Sequence, residues 1–286
     1  MSELEIQAGL GRLERARTPR RRIGVAEALA LAFALFLVVA AFVPSFVAPG
    51  DPLAIDPLAA FQAPNPSHWF GTDESGRDIF TRVSHGTGGS LAIGTLATAL
   101  GLGLGIVLGT MAGMLGRVVD FTVNRFLEVM FAFPGLLLAL LVILVFGPGA
   151  QTATVAVGLA TAPGYARIIR AQLISVRSSA FVEAATVLGR GPWQILWRHI
   201  LPNTLAPLFV LGTLGIGQAI VWASALSYLG LGAAPPAAEW GAMLSAGRTY
   251  ITSAWWMAFF PGLFIVLTAI TATSLGRAIE RRLRHA

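Results

Sequence analysis

The sequence predicts an all-α polytopic membrane protein with six transmembrane helices and both termini in the cytoplasm. Hydrophobic residues make up 55% of the 286 residues and charged residues only 12%, which is about half the charged fraction of an ordinary soluble domain. The mean hydropathy is +0.72, and long uncharged stretches recur along the chain. A chain of this composition needs lipid as its solvent.

Six apolar stretches account for this prediction, since about 20 helical residues cross a hydrocarbon core. They cover residues 25–47, 88–114, 127–147, 151–166, 204–232 and 254–275. The fourth stretch is the shortest, and Pro163 and Gly164 interrupt it, so we expect the inner end of this span to be irregular. The first stretch is too long for the apolar part of a signal peptide, which predicts a retained anchor.

The segments between these stretches are more polar and divide the chain. Residues 1–24 hold six arginines and are predicted to form a cytoplasmic tail before the first span. Five prolines punctuate residues 48–86, which predicts an extracytoplasmic loop region. Residues 87–275 contain a core of five spans with a cytoplasmic loop at 167–203, and residues 276–286 are predicted to form a second cytoplasmic tail.

The distribution of arginine sets the predicted orientation. With both termini inside, the inner segments hold seventeen of the twenty arginines, in agreement with the positive-inside rule. The outer segments hold six acidic residues. Tryptophans, which are enriched where a protein crosses the membrane surface, lie near the predicted outer interface at Trp69, Trp240, Trp255 and Trp256.

Two residue types are missing from the sequence. The absence of cysteine excludes disulfides and thiolate metal sites. The absence of lysine excludes a Walker A phosphate loop, so we expect this chain not to bind ATP. Because the four histidines are scattered, we also expect no metal site. The pI of about 11.1 could indicate nucleic acid, but the arginines flank apolar runs instead of forming one basic face, which favours anionic lipid.

The inner loop between the fourth and fifth spans is amphipathic. Ser178 or Ser179 can cap a short helix over residues 180–188. Gly189 can end this helix in the left-handed conformation, and Pro192 fits the first position of a second helix. The pattern predicts a helix, turn, helix protrusion. Two interpretations have equal weight on physical grounds: a docking element for a partner protein, or an interfacial helix on the inner leaflet.

Within this loop, the sequences EAATVLG and RHILPN resemble the EAA loop of bacterial ABC importer permeases, with the spacing of the peptide-importer branch. The resemblance implies a type I ABC importer permease fold, in which this loop forms the coupling helix that docks into a nucleotide-binding subunit. The residues that it assigns to this contact, and to the hinge into the fifth span, are Glu183, Ala184, Ala185, Gly189, Arg190, Leu201 and Pro202.

A second motif, GTDESGRDIFTRVSHG at residues 71–86, is similar to the N-terminal signature of the second permease of dipeptide and oligopeptide systems. Its charged residues can form an ion-pair and hydrogen-bond network, and its glycines allow tight turns. We expect this extracytoplasmic motif to stabilise the outer loop and not to contact substrate. The candidate residues are Gly71, Thr72, Asp73, Gly76, Arg77, Asp78 and Arg82.

The resemblance covers nearly the whole chain, through LSYLGLG at 226–232, EWGAML at 239–244 and WWMAFFPGLFIVLT at 255–268. The chain departs from the family pattern at two places. Ala223 stands where the family often has an acidic residue, and Thr273 with GRAIERRL replaces the usual ending after the sixth span. These departures separate the chain from well-known members of the family.

The resemblance implies a permease subunit that imports dipeptides or oligopeptides across the cytoplasmic membrane and is not itself an enzyme. The implied partners are a second homologous permease in a heterodimer, two ATPase subunits that bind ATP and Mg, and an extracytoplasmic peptide-binding protein. Few charges lie within the spans, so we expect the second permease to complete the translocation path. Candidate lining residues, whose polarity is costly in lipid, are Thr95, Thr98, Gln218, Ser224 and Ser227.

Other functions are weighed against this one. For each hydroxyl among the lining candidates, a bond to its own helix is the favoured interpretation. An ion-coupled secondary transporter would need buried ionisable residues, and the spans contain almost none. A membrane enzyme would need a cluster of catalytic side chains, whereas the four histidines are scattered. Within the importer family, nickel, glutathione or antimicrobial peptides stay open as alternative substrates.

Overall fold

The computed structural model describes residues 24–283, and within this range the regular structure is almost entirely helical. The α-helices, in chain order, are α1 Val25–Phe42, α2 Pro44–Val47, α3 Ile79–Met114, α4 Arg117–Phe131, α5 Gly135–Phe146, α6 Ala150–Arg177, α7 Ala180–Val187, α8 Pro192–Ile195, α9 Leu201–Tyr228, α10 Trp240–Arg248 and α11 Trp256–Leu283. A 3-10 turn at Pro57–Ala59 and a π-helical turn at Leu196–Ile200 complete the set.

Several of these helices are suited to the membrane. Among the described residues, four helices are long and apolar enough to cross it, and their spanning parts are Val25–Phe42, Ile79–Met114, Pro207–Tyr228 and Trp256–Arg282. Helices α4 and α5 meet the same criteria together, so the number is five if this bent pair is one span. Helix α6, which contains the predicted fourth span, does not meet them.

The third predicted span, 127–147, is not one continuous helix. Helix α4 ends at Phe131, α5 begins at Gly135, and the two are bent by 88°. Pro134 explains the break, because proline has no N–H to donate and disfavours helical backbone at the residue before it. The predicted third span is therefore divided between two helices.

The prediction that the inner end of the fourth span is irregular is wrong. Helix α6 runs from Ala150 to Arg177 through Pro163 and Gly164 without interruption. Tight packing on α3 compensates for the hydrogen bond lost at Pro163, because a Cβ on Gly105 of α3 would lie only 2.5 Å from Tyr165 Cβ. The helix consequently takes up the first part of the predicted inner loop 167–203.

Two other predicted boundaries shift. Helix α3 begins at Ile79, inside the predicted outer loop 48–86, because the Asp78 carboxylate caps it by accepting a hydrogen bond from Thr81 N at 2.8 Å. The N-terminal tail, 1–24, lies outside the described residues except for Gly24. Residues 284–286 of the predicted C-terminal tail, 276–286, also lie outside them, whereas the start of that tail continues α11.

Helices α3 and α6 form the centre of the bundle and run parallel. Glycines at one-turn intervals on α3 face successive turns of α6: Gly101 faces Gly158, Gly105 faces Tyr165, Gly109 faces Ile169 and Gly113 faces Leu173. Missing side chains allow this close approach. Gly103 of the same helix has open space around its Cβ position and takes no part in this contact.

The first and last helices meet at one end of the bundle. Arg282 Nη2 near the end of α11 lies 2.8 Å from Glu27 Oε1 near the start of α1. Further along the same antiparallel pair, Phe33 and Phe36 pack edge-on against Phe264. The start of the first span and the end of the last span therefore lie on the same side.

Candidate functional site

The loop between α6 and α9 forms a compact elbow, which we define as residues 178–200. Ser179 occupies the N-cap position of α7, but its hydroxyl donates to Val176 O and makes no side-chain cap. The helix ends as predicted, with Gly189 at φ +75°. Gly189 N donates to Thr186 O at 2.9 Å and Arg190 N to Ala185 O at 3.2 Å, the pair of bonds that defines a Schellman motif.

The inner face of the elbow is packed on the bundle. Val182, Ala185 and Ile195 are each less than a tenth exposed and lie in one apolar cluster with Leu173 of α6 and Leu208 of α9. Ala185 therefore faces its own subunit, which corrects its assignment to a partner contact. Because α7 has only one apolar face toward the bundle, one of its two adjacent alanines must turn inward.

The opposite face of the elbow is exposed and apolar. Val187 is 84% exposed and Leu188 75%, and both lie next to the turn at Gly189. Glu183 and Ala184 are also exposed. Other large apolar side chains on the elbow that face outward are Phe181, Trp193 and Trp197. An apolar, solvent-facing surface on a rigid support is the kind of patch that marks a protein or membrane contact.

The elbow joins α9 through the π-helical turn Leu196–Ile200. Leu201 N donates to Leu196 O, five residues back, instead of to the residue four back. Pro202 follows at once and has no N–H for the Arg198 carbonyl, so ordinary α-helical bonding is interrupted where the elbow meets the span. Single π turns of this kind occur often at functional sites, and this one coincides with the predicted hinge at Leu201 and Pro202.

A cavity of about 590 Å³ lies beside α7 at the C-terminal ends of α3 and α6. Its walls carry Arg177, Glu183 and Arg190 above an apolar floor that includes Met114 and Ile200. Arg190 contacts the π-helical turn, since its Nη1 lies 2.7 Å from Nε2 of His199 in that turn. Glu183 thus lies between this cavity and the exposed surface.

The extracytoplasmic motif forms the predicted network. Arg77 Nε binds Asp73 Oδ2 at 2.7 Å, and Arg77 Nη2 binds Glu74 Oε1 at 2.8 Å. Gly71 and Gly76 have φ values of +74° and +76°, so the expected tight turns are present. These contacts lie within the outer loop, in agreement with a stabilising role.

The other motif residues tie the loop to the helices. Asp78, besides capping α3, lies 2.9 Å from His68 Nδ1. Thr72 is buried, and its carbonyl oxygen accepts a hydrogen bond from Trp256 Nε1 of α11 at 3.0 Å. Arg82 is also buried, and it donates to Pro52 O and lies 3.6 Å from Asp73 Oδ2.

The candidate lining residues separate into two groups. Thr98, Ser224 and Ser227 are buried inside the subunit, and Thr98 Oγ1 donates to Gly94 O of its own helix at 2.8 Å. These three do not face an open path within the described residues. Gln218 and Thr95 are exposed, although Thr95 Oγ1 donates to Leu91 O. The hydroxyl groups that made Thr98, Ser224 and Ser227 candidates are therefore enclosed inside the bundle.

One ion pair near the elbow was not predicted from the sequence. Asp120 in α4 and Arg170 in α6 bind each other through two bonds across fifty residues of sequence. Each charge could be found as an ionisable residue beside an apolar stretch, but their pairing depends on how α4 packs against α6, which the sequence pattern does not show.

Comparison with known proteins identifies the family to which these helices belong. Residues 105–285, which include the elbow and every helix from the end of α3 onward, match the family model described as the binding-protein-dependent transport system inner membrane component. The chain belongs to this family. It is accordingly a multi-pass permease subunit of the inner membrane.

Curated relatives of this permease share about two fifths of its residues. It is 40% identical over 86% of its length, and 80% of the relative's, to the dipeptide transport system permease protein DppC of Alkalihalophilus pseudofirmus. It is 39% identical to the probable D,D-dipeptide transport system permease protein DdpC of Escherichia coli K12, over 88% and 84% of the two chains. The glutathione transport system permease protein GsiD of Pectobacterium atrosepticum is 37% identical over 91% and 86%.

Solved structures share the fold of this permease. A chain of the inward-facing methionine ABC transporter MetNI aligns with a TM-score of 0.57 at 19% identity, over 70% of this permease and 95% of that chain. An amino acid ABC transporter with histidines aligns with a TM-score of 0.54 at 17% identity, over 68% and 90%. These alignments show the type I ABC importer permease fold.

Proposed function

We propose that this permease carries dipeptides or oligopeptides inward, driven by two separate ATPase subunits that dock on the elbow. The observation that carries the proposal is the two-sided elbow: Val182 and Ala185 fix one face to the spans, and Val187 and Leu188 leave the other face exposed. In a transport permease such a surface fits a motor subunit. The dipeptide substrates named for two relatives support the choice of cargo.

The elbow can pass movement to both helices that flank it. Helix α6 ends at Arg177, only two residues separate it from α7, and the π-helical turn continues into α9. ATP and Mg bind to the partner subunits, and the closure of these subunits pushes on Glu183, Ala184 and Leu188. The displacement tilts α6 and α9 and switches the substrate cavity between its outward-facing and inward-facing forms.

A second, homologous permease completes the path as a heterodimer. An apolar groove of about 620 Å³ runs along α5 and is lined by Phe133, Leu137 and Leu144 among other residues. Gln218 on α9 is exposed in the middle of an apolar span, where an amide is costly in lipid. A subunit interface at this side of the molecule would cover the groove and place Gln218 near the substrate.

The outer loop offers a rigid platform for an extracytoplasmic peptide-binding protein. Arg77 and Arg82 fix its fold, while Leu58 on the 3-10 turn is 94% exposed and Asp56 lies beside it. The sparse polarity of the spans suits a substrate that is selected mainly by the binding protein.

The docking role can be tested at the turn of the elbow. In a strain that lacks this subunit, Gly189→Asp should lower peptide uptake and transport-coupled ATP hydrolysis but leave the complex assembled, since aspartate at φ +75° strains the turn. Gly191→Asp is the matched control, because Gly191 is exposed, has φ −65° and is the N-cap of α8, where aspartate is favourable. Normal uptake by the Gly189→Asp strain would show that the elbow does not dock the motor.

Glutathione is a second candidate cargo, because relatives named as glutathione permeases match at 37% and 40% identity. Uptake of a radiolabelled dipeptide in the complemented strain distinguishes the two. Competition by unlabelled dipeptides but not by glutathione supports the peptide assignment, and the reverse pattern overturns it.

A further inference from the structure

An ion pair joins α4 to α6 near the elbow. Arg170 Nε lies 2.5 Å from Asp120 Oδ1, and Arg170 Nη2 lies 2.6 Å from Asp120 Oδ2, so the guanidinium and carboxylate meet through two parallel bonds. Asn124 donates from Nδ2 to Asp120 Oδ1 at 2.6 Å and to Asp120 O at 2.7 Å. The carboxylate is therefore oriented by its own helix and held by the neighbouring one.

A second arginine of α6 holds the other end of α4. The Arg167 guanidinium lies 4.1 Å from the centre of the Phe131 ring, in the last residue of α4. Between these two contacts, Val123 and Leu127 of α4 are buried in a cluster that includes Ala166 of α6. Helix α4 is thus attached to α6 at both ends and along one face.

These contacts connect two parts of the molecule that are far apart in sequence. Arg170 lies two helical turns before the end of α6 at Arg177, where the elbow begins. Helix α4 leads through the 88° bend into α5. The start of α5 packs closely on α9, since a Cβ on Gly135 would lie 2.4 Å from the Trp222 ring.

We infer that the Asp120–Arg170 pair is a strut that makes α4 move with α6, so that displacement of the elbow reaches the bent α4–α5 pair. This inference rests on the proposed docking of ATPase subunits on the elbow. Both residues are positioning residues, because they act through the helices that they join and do not touch substrate.

The test uses the complete transport complex, reconstituted with its partner permease, ATPases and binding protein. Asp120→Arg and Arg170→Asp are compared with the double variant that exchanges the two charges. The quantity measured is peptide imported per ATP hydrolysed. Each single variant should lower this ratio by about fivefold or more, a usual lower bound for coupling between sites, and the exchange should restore most of it.

The exposed pair Arg125–Glu128 on the same helix provides the matched control. Its side chains are 65% and 53% exposed, and its 2.6 Å contact lies within α4. Exchange of these two charges should leave the ratio unchanged. The proposed role of the ion pair is wrong if the single variants at Asp120 or Arg170 keep the wild-type ratio. It is also wrong if the complex with exchanged charges assembles but does not recover the ratio.

If the single variants fail to assemble, or if the complex does not import peptides, the distance between α4 and α6 can be measured instead to test whether they move together. The sequence has no cysteine, so cysteines that replace the exposed Phe121 of α4 and Ile174 of α6 can carry spin labels at known positions. In samples that hydrolyse ATP, the distance between these labels should be the same in the nucleotide-free and vanadate-trapped states. A change of about 5 Å, one helical turn, would show that α4 and α6 move independently.

Discussion

Arg82 shows how a single side chain can join distant parts of this permease. It lies in the first turns of α3, and its guanidinium donates to Pro52 O at 3.1 Å and to Pro236 O at 3.2 Å. It also lies 3.6 Å from Asp73 Oδ2. The outer loop, α3 and the segment before α10 are therefore connected by one planar group with several donors.

Substitution of Arg82 by lysine should destabilise the permease although the charge is kept. The ammonium cannot reach all these acceptors in one geometry, and each lost bond to a charged group costs about 1.5–3 kcal/mol. We expect the apparent Tm of the detergent-solubilised complex, followed by tryptophan fluorescence, to fall by about 5 °C or more. Arg125→Lys, at an exposed site, is the control and should leave the Tm unchanged.

At this scale the sequence predicts partners within a motif better than the direction of each side chain. The bonds among Asp73, Arg77 and Arg82 follow from charges a few residues apart, whereas the carbonyls that Arg82 contacts belong to a distant segment. Ser224 and Ser227 were chosen as lining residues for their polarity, yet Gly241 of α10 packs against them. Such burial depends on tertiary packing that the sequence does not reveal.

The row of glycines on α3 sets the distance between the two central helices. Gly105 and Gly109 leave room for Tyr165 and Ile169 of α6, which could not approach a larger residue so closely. Gly103 lies between Gly101 and Gly105 in sequence but faces open space. The row therefore acts through one helical face and not through glycine content alone.

Gly105→Val should disrupt the α3–α6 contact. Its Cβ would lie 2.5 Å from Tyr165 Cβ, and overpacking of this kind costs about 1–3 kcal/mol. We expect a lower yield of monodisperse complex and an apparent Tm lower by roughly 5 °C. Gly103→Val changes the same helix by the same residue and should behave like the wild type. Equal behaviour of both variants would show that the close packing is dispensable.

The sequence predicts helices well where an apolar stretch is long, even across Pro207 of α9 and Pro261 of α11. It locates α3, α9 and α11, the end of α7 before Gly189 and the start of α8 at Pro192, because local capping chemistry and hydropathy decide these positions. It fails at the two prolines whose effects depend on neighbours. Pro163 is tolerated because α3 supports α6, and Pro134 breaks the third span into α4 and α5.

The orientation of the whole molecule is a prediction from arginine distribution that can be tested directly. Because the chain has no cysteine, single cysteines at Leu58 on the outer loop and Leu188 on the elbow report only their own accessibility. In intact cells that lack the ATPase subunits, an impermeant maleimide should label the cysteine at 58, and should label that at 188 only after the membrane is opened. Labelling of position 188 in intact cells would reverse the topology.

The contact between Glu27 and Arg282 also limits how often the chain traverses the bilayer. Two side chains 2.8 Å apart lie in one compartment, so we expect an even number of membrane crossings between them, and not five. Since α3 and α6 point the same way, the polypeptide must return to its earlier side between them, and only the bent pair α4–α5 can make that return journey. Counted in this way, we expect the permease to traverse the membrane six times, with α6 as the fourth passage despite its modest hydropathy.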